Sequence, residues 1–522
     1  MTFRTFPRRL AALSLAALPA LAAPSPAHAQ ARGSEAAAAA TLERLRASPP
    51  RLYAFLREMP KGADLHMHLS GAVYAESFLR WATEDSLCIS RHALAIVWTN
   101  PCAGGDTITA AAAQRSALRD SLIDAWSMRN WDHARNSGHD QFFATFARFG
   151  ATDRRVGDEL AEATARAAAG RVSYMELMVT LDGRVASGLG AQVLGDSAFA
   201  PGREPNFAAY RQALLQAGIA NAVAAGRENA TRIEARRDTV LRCGTPQADP
   251  GCGVTARWLY QVLRGLPPQQ VFAQILTGFE LAKADPRVVG FNLVMPEDGL
   301  VSMRDFTLQM RMIDYLHQFY PQVKITLHAG ELAGGLVPPE GMRFHIRQSV
   351  ELGHASRIGH GVDVLYEDRP EELLREMARR GVMVEIALTS NDAILEVRGK
   401  DHPLSAYRAY GVPVALATDD EGVARSEMTR EWVKAVEEQG LGYRDLKAMA
   451  RTSLEHAFVE GASLWSDGRR FTPVAACAPA AGGFAGARCG GYAAGSTRAR
   501  LQRDLELGFR EFEARRAADS PP

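Results

Sequence analysis

Histidine carries the first chemical signal in this chain. His66 and His68 stand two positions apart in the run KGADLHMHLSG, in a sequence with 13 histidines. An apolar run leads into them and a glycine follows, the pattern of a strand and the turn that ends it. In an extended strand, residues two apart point the same way, so both imidazoles can address one metal ion. Other apolar runs also close on polar residues: His328-Ala329-Gly330-Glu331, Arg357-Ile358-Gly359-His360-Gly361 and Thr418-Asp419-Asp420. Taken singly, each also reads as a capping carboxylate, a satisfied core histidine or a solvated acidic turn. Together they place three histidines and an aspartate of metal-ligand type at strand ends. A Glu, a His and an Asp are left over at the same strand ends.

Such groups need a scaffold that gathers strand ends. Short apolar, β-branched runs at 63–68, 172–180, 256–264, 288–296, 324–328, 356–360, 382–388 and 412–418 predict strands, with amphipathic stretches such as 304–320, 369–380 and 404–410 between them. Strands alternating with helices indicate a parallel α/β fold. Eight is the number that closes a (β/α)8 TIM barrel, whose reacting groups lie at the C-terminal ends of its strands. Periodicity alone does not separate that barrel from an open doubly wound sheet. Residues 34–58 predict one or two extra N-terminal helices broken at Pro49-Pro50. Residues 83–140 form an insertion or lid after strand one. Residues 473–497 read as a Gly/Ala-rich loop before a charged C-terminal helix at 498–517. Phe142, Phe143 and Phe146 suit either an apolar pocket wall or a core-facing helix stripe. Glu176 is placed in the barrel mouth.

Residues 1–29 have the marks of a secretory signal peptide: Arg4, Arg8 and Arg9, an apolar run, then Ala27-His28-Ala29 as the cleavage site. The Arg8-Arg9 pair leaves Sec and twin-arginine export both open. Cleavage after Ala29 makes the chain periplasmic or secreted, with 30–522 as a single domain. Removing the three arginines from a formal charge of +1 leaves −2, no basic field for nucleic acid. No later segment suits a membrane span. All six cysteines lie beyond the signal segment. An exported chain with an even cysteine count suggests disulfides, and the simplest connectivity joins neighbours: 88–102, 243–252 and 477–489.

The motifs HMHLSGA, HAGE, RIGHG and ATDDEGV, in this order, resemble the adenosine deaminase family of zinc-dependent barrel enzymes, over roughly residues 57–465. The MPKGADLHMH lead-in and the Cys88–Cys102 insertion look like its secreted deaminase and growth-factor branch. The run LTSN, 388–391, looks instead like the branch acting on AMP-like substrates. The resemblance implies one Zn²⁺ per chain, bound by His66, His68, His328 and Asp419. It implies that Glu331 donates a proton to purine N1, that His360 orients the attacking water, and that Asp420 hydrogen-bonds N7. The expected activity is hydrolytic deamination of adenosine or 2′-deoxyadenosine to the inosine form and ammonia.

Two positions depart from the family pattern. Ser70 replaces an Asp that the resemblance assigns to the ribose 5′-hydroxyl; serine hydrogen-bonds but does not repel a 5′-phosphate. Met295 stands where the family has a glycine whose N–H reaches purine N3, so the Met295 side chain must turn away. An AMP-like nucleotide or adenine therefore stays open as substrate. A different metal-dependent amidohydrolase is the rival enzyme, disfavoured because VVGFNLVMPE lacks the lysine of two-metal barrels. A binding protein without catalysis is the third reading, disfavoured by the complete residue set. The substrate is the one expected partner, and a homodimer through the N-terminal helices stays open.

Overall fold

The computed structural model describes residues 1–2, 26–98, 102, 105–132, 134–200 and 202–518. Most of the expected signal segment, 3–25, lies outside them.

Eight strands run parallel in one sheet, in chain order. They are β1 (Gly62–His68), β2 (Val172–Val179), β3 (Thr255–Leu263), β4 (Val288–Val294), β5 (Lys324–Ala329), β6 (Arg357–His360), β7 (Met383–Ile386) and β8 (Val414–Leu416). All but β3, which is buried chiefly at its middle, are mostly buried along their length, as expected for strands covered by helices on one side and barrel filling on the other. The sheet closes just past the end of β8. Asp419 N–H donates to the His66 carbonyl at 2.9 Å, and His68 N–H donates to the Asp419 carbonyl at 3.2 Å. That closure decides for the barrel over the open sheet. The seam falls on three of the residues singled out as metal ligands.

Among the described residues two helices precede the barrel, α1 (Pro26–Leu45) and α2 (Pro49–Glu58). Lys61, buried at the foot of β1, donates from Nζ to the carbonyls of Leu56, Met59 and Gly170. This satisfies the free carbonyls at the end of α2. The long insertion between β1 and β2 contains a small antiparallel sheet of Cys88–Ser90, Ala95–Val97 and Thr107–Thr109. It also contains α3 (Gly138–Phe149), whose side chain-capped start is Ser137. The insertion has its own apolar core, built on Phe78, Trp81, Leu122, Trp126, Phe142 and Phe149. That core meets Val362, Ile394 and Val423 from the barrel's strand-end loops. A roof therefore stands over the mouth. After β7 comes α4 (Leu388–Leu395), and α5 (Thr497–Ala518) ends the described chain, packing Phe512 edge-on against Phe55 of α2 at 5.1 Å.

The stretch expected as a loop at 473–497 is more ordered than that. It holds three 3₁₀ turns and a short helix, Ala487–Ala494. The reason is a small core of its own, in which Cys477 and Cys489 are buried with Leu464, Trp465 and Ala499. Disulfides join Cys88 to Cys102, Cys243 to Cys252 and Cys477 to Cys489, the nearest-neighbour pairing. They fit an oxidising compartment, periplasmic or extracellular. Among the described residues no helix is long and apolar enough to cross a membrane.

Candidate metal centre and adjoining pocket

His66, His68, His328 and Asp419 bring one donor atom each to within 4.8 Å of one another at the strand ends. His328 Nε2 lies 3.1 Å from the Nε2 of both His66 and His68. The second nitrogen of each ring is committed elsewhere. His66 Nδ1 faces Glu385 Oε2 at 2.6 Å, His68 Nδ1 faces Gln261 Oε1 at 3.3 Å, and His328 Nδ1 faces Asn292 Oδ1 at 3.0 Å. Asn292 Oδ1 also accepts the His328 backbone N–H at 2.9 Å, which fixes its amide orientation. An oxygen acceptor demands N–H at Nδ1, so each Nε2 offers a lone pair.

Asp419 adds an anionic oxygen. Its Oδ2 accepts from Ser390 Oγ at 2.6 Å. Its Oδ1 is buried without a hydrogen bond, 3.5 Å and 3.4 Å from Nε2 of His66 and His68. Three lone pairs and a carboxylate oxygen crowded together out of water need a cation among them. Three nitrogens and one oxygen suit zinc. Against the upward push of burial, Arg357 and His66 hold the Glu385 carboxyl down to about 2, so it stays an acceptor for His66.

Local backbone aims these side chains. Asp419, His360 and Met295 all sit at strand ends with φ of +60°, +67° and +87°, a region costly for side-chain-bearing residues and found where sites are built. Small residues make room. A Cβ at Gly359 would stand 2.5 Å from the His66 ring, and one at Gly71 would collide with the Asp420 carboxylate.

Glu331 follows β5, buried, its carboxylate 3.6 Å from His360 Nδ1. Its loop is pinned by Glu297, whose two oxygens accept the N–H groups of Gly330 and Glu331 at 3.0 Å and 2.9 Å. Against the push of burial, His345 and Arg264 hold Glu297 down to about 2. Burial, with the charges of Asp419 and Glu297, pushes the Glu331 carboxyl well above the usual range. Burial beside Asp419 and Glu331 does the same to Asp420. His360 is pushed down to about 3 by burial. Burial that favours the protonated form equips both carboxyls to donate hydrogen bonds.

A cavity of about 310 Å³ opens beside this cluster. His68, His328, Glu331, Asp419 and Asp420 form its floor, with Ser70 and Met295 on the wall. Met295 lines the cavity, 40% exposed, with the end of its side chain against Gly265. Phe142, Phe143 and Phe146 line the cavity and also pack into the roof's core, so both readings of that stripe hold. Glu176 is not in the mouth. It pairs with Arg357 at 2.5 Å and accepts from Tyr174 and from Phe458 N–H, inside the barrel. The supporting residues Glu385, Asn292, Gln261, Ser390 and Asn391 escaped sequence reasoning. Glu385 and Asn292 did leave a signal, as polar residues at the middle of otherwise apolar strands.

The family model described as Adenosine deaminase matches residues 232–463. An adenine deaminase of Sinorhizobium medicae is 30% identical over 221 residues, 42% of this chain and 62% of that protein. The chain thus aligns with about three fifths of the length of such relatives. An adenosine deaminase of Pectobacterium atrosepticum is 36% identical over 136 residues, 26% of this chain and 37% of that one. The crystal structure of an Arabidopsis N6-mAMP deaminase shares the fold at 19% identity, with a TM-score of 0.50, over 78% of this chain and 96% of that one.

Proposed function

The chain belongs to the adenosine deaminase family, and from that premise we propose that it removes the 6-amino group of adenosine or 2′-deoxyadenosine by hydrolysis, releasing ammonia. The observation that carries this reading is the convergence of three Nε2 lone pairs and Asp419 Oδ1 beside two buried carboxyls, Glu331 and Asp420. One zinc ion per chain, held by His66, His68, His328 and Asp419, would lower the pKa of water to about 7 and so supply hydroxide near neutral pH.

The chain's own residues do the rest. Addition at C6 pushes electron density onto N1. Glu331, whose burial favours its acid form, donates its proton there, and N1 keeps it in the product. The proton of the hydroxyl added at C6 goes to the departing amine, and the next water to ionise restores the acid form of Glu331. Asp420, its acid form likewise favoured by burial, donates to N7, an acceptor. Protonated acids at N1 and N7 match a purine and would meet a pyrimidine poorly. His360 steers the attacking oxygen. Phe142, Phe143 and Phe146 cover the base with apolar surface.

Among the described residues, those lining the cavity include no lysine or arginine. A 5′-phosphate would stay unpaired there, which favours a nucleoside over an AMP-like nucleotide. Ser70 offers a hydroxyl to a ribose. Adenine is the second reading, favoured by the likeness to the Sinorhizobium adenine deaminase. The test is absorbance loss by zinc-loaded protein with adenosine, 2′-deoxyadenosine, AMP and adenine. Turnover of none of them overturns the proposal; a preference for adenine selects the second reading. We also read 1–29 as an export signal. N-terminal sequencing of protein from the exported fraction, starting at Gln30, would support it.

A further inference from the structure

The hydrogen bonds behind His360 run in one direction, and a backbone amide sets that direction. His402 is buried at 1% exposure, and its Nδ1 accepts the N–H of Leu404 at 3.1 Å. A backbone N–H only donates, so His402 Nδ1 is the lone pair of a neutral ring and Nε2 carries the hydrogen. That Nε2 lies 3.1 Å from Asn391 Oδ1. The amide oxygen is thereby turned toward His402 and the NH₂ toward His360, 3.0 Å from its Nδ1. An amide NH₂ also only donates, so His360 Nδ1 accepts. The ring hydrogen of His360 then sits on Nε2. This atom is buried with no hydrogen-bond partner, in a ring whose centroid lies 4.8 Å and 5.1 Å from those of His66 and His328. Turning the Asn391 amide over would point its NH₂ at His402 Nε2–H, donor against donor. The reversed relay is closed by Leu404 N–H.

We propose that Asn391 and His402 are positioning residues that lock His360 in the Nε2–H tautomer, so that His360 meets the reacting oxygen as a hydrogen-bond donor and has no lone pair at that nitrogen with which to take a proton. The tautomer follows from the hydrogen bonds alone; its effect on turnover rests on the deaminase reading above.

Nitrogen NMR on the zinc-loaded chain, labelled with ¹⁵N-histidine, reads the tautomer without any assay of activity. The His360 signals are identified by their loss in His360→Asn. A neutral ring protonated at Nε2 is expected; a ring protonated at Nδ1 overturns the proposal, whatever the enzyme does. Asn391→Asp puts an acceptor where the NH₂ was and should move the His360 hydrogen to Nδ1. Zinc per chain should not change, and kcat should fall about 100-fold with KM within about threefold. Asn391→Asp that keeps Nε2–H removes the positioning role. A flipped tautomer with unchanged kcat removes its consequence for turnover. His402→Gln can still accept from Leu404 and donate to Asn391, and should stay near wild type. His402→Leu cannot, and should lose the tautomer preference. Equal behaviour of the two counts against the relay, and the wild-type spectrum decides even where a variant does not fold.

Discussion

At the scale of single residues, the site separates groups that hold a cation from groups that move or place a proton. Glu331 is not among the four donors that converge, and burial with neighbouring Asp419 and Glu297 pushes its carboxyl toward the protonated form. Glu331→Gln should therefore keep full zinc content and lose at least about 100-fold in kcat. Elemental analysis beside the turnover assay checks both halves; retained activity would remove Glu331 from proton transfer. Glu385 makes the opposite case. It touches no part of the cavity, yet it dictates which nitrogen of His66 is free. Glu385→Gln or Asn292→Ala should weaken zinc binding about 10- to 100-fold, read by competition with a chelator, while turnover at saturating zinc falls less. An unchanged zinc affinity in both would mean that the tautomers are set some other way.

At the scale of elements, strand position was legible because buried parallel strands are largely apolar runs, and most of them stood between helical stretches. The ligand set was legible for a related reason: His66, His68, His328 and Asp419 are polar residues at the ends of such runs. Their supports were not, since Gln261, Glu385 and Ser390 come from separate elements and only the closed barrel brings them together. Glu176 shows the same limit from the other side. A carboxylate in a strand is conspicuous, but whether it faces the mouth or an arginine on another strand is decided by register. The stripe on α3 was ambiguous in sequence because it has two neighbours, the roof's core and the cavity. Phe142 is 1% exposed and belongs chiefly to the core, whereas Phe146 is half-buried and reaches the cavity. Phe146→Ala should raise KM several-fold, by about 1 kcal/mol of lost apolar contact, with little change in kcat. Loss of kcat at constant KM would mean that Phe146 acts on the adduct and not on substrate binding.

At the scale of the whole molecule, stability and pH are coupled through buried carboxyls that are not among the cavity-lining residues. Glu431 is fully buried. Burial raises it to about 7, opposed by hydrogen bonds from Thr389 and Ser426. Glu367 is likewise raised to about 7 by burial. The folded chain keeps protons that the unfolded chain releases above its ordinary value of 4.5. Their stabilising contribution is thus complete below about 4.5, declines as pH rises through the interval, and is gone above about 7. Glu297 runs the other way: held down to about 2, it contributes fully above about 4.5 and loses that contribution as pH falls. Glu431→Gln isolates one of these terms. The amide oxygen can accept from Thr389 N–H or from Ser426 Oγ, the two groups that donate to the Glu431 carboxyl, and the amide does not titrate. Near pH 4.5 the variant should match the wild type. By pH 7.5 it should be the more stable of the two, by up to about 3 kcal/mol, visible as a Tm difference that grows between those pH values and then levels off. A Tm difference that is the same at pH 4.5 and 7.5 would mean that Glu431 is ionised in the folded chain, and that the ring of hydrogen bonds from Thr389 and Ser426 outweighs its burial.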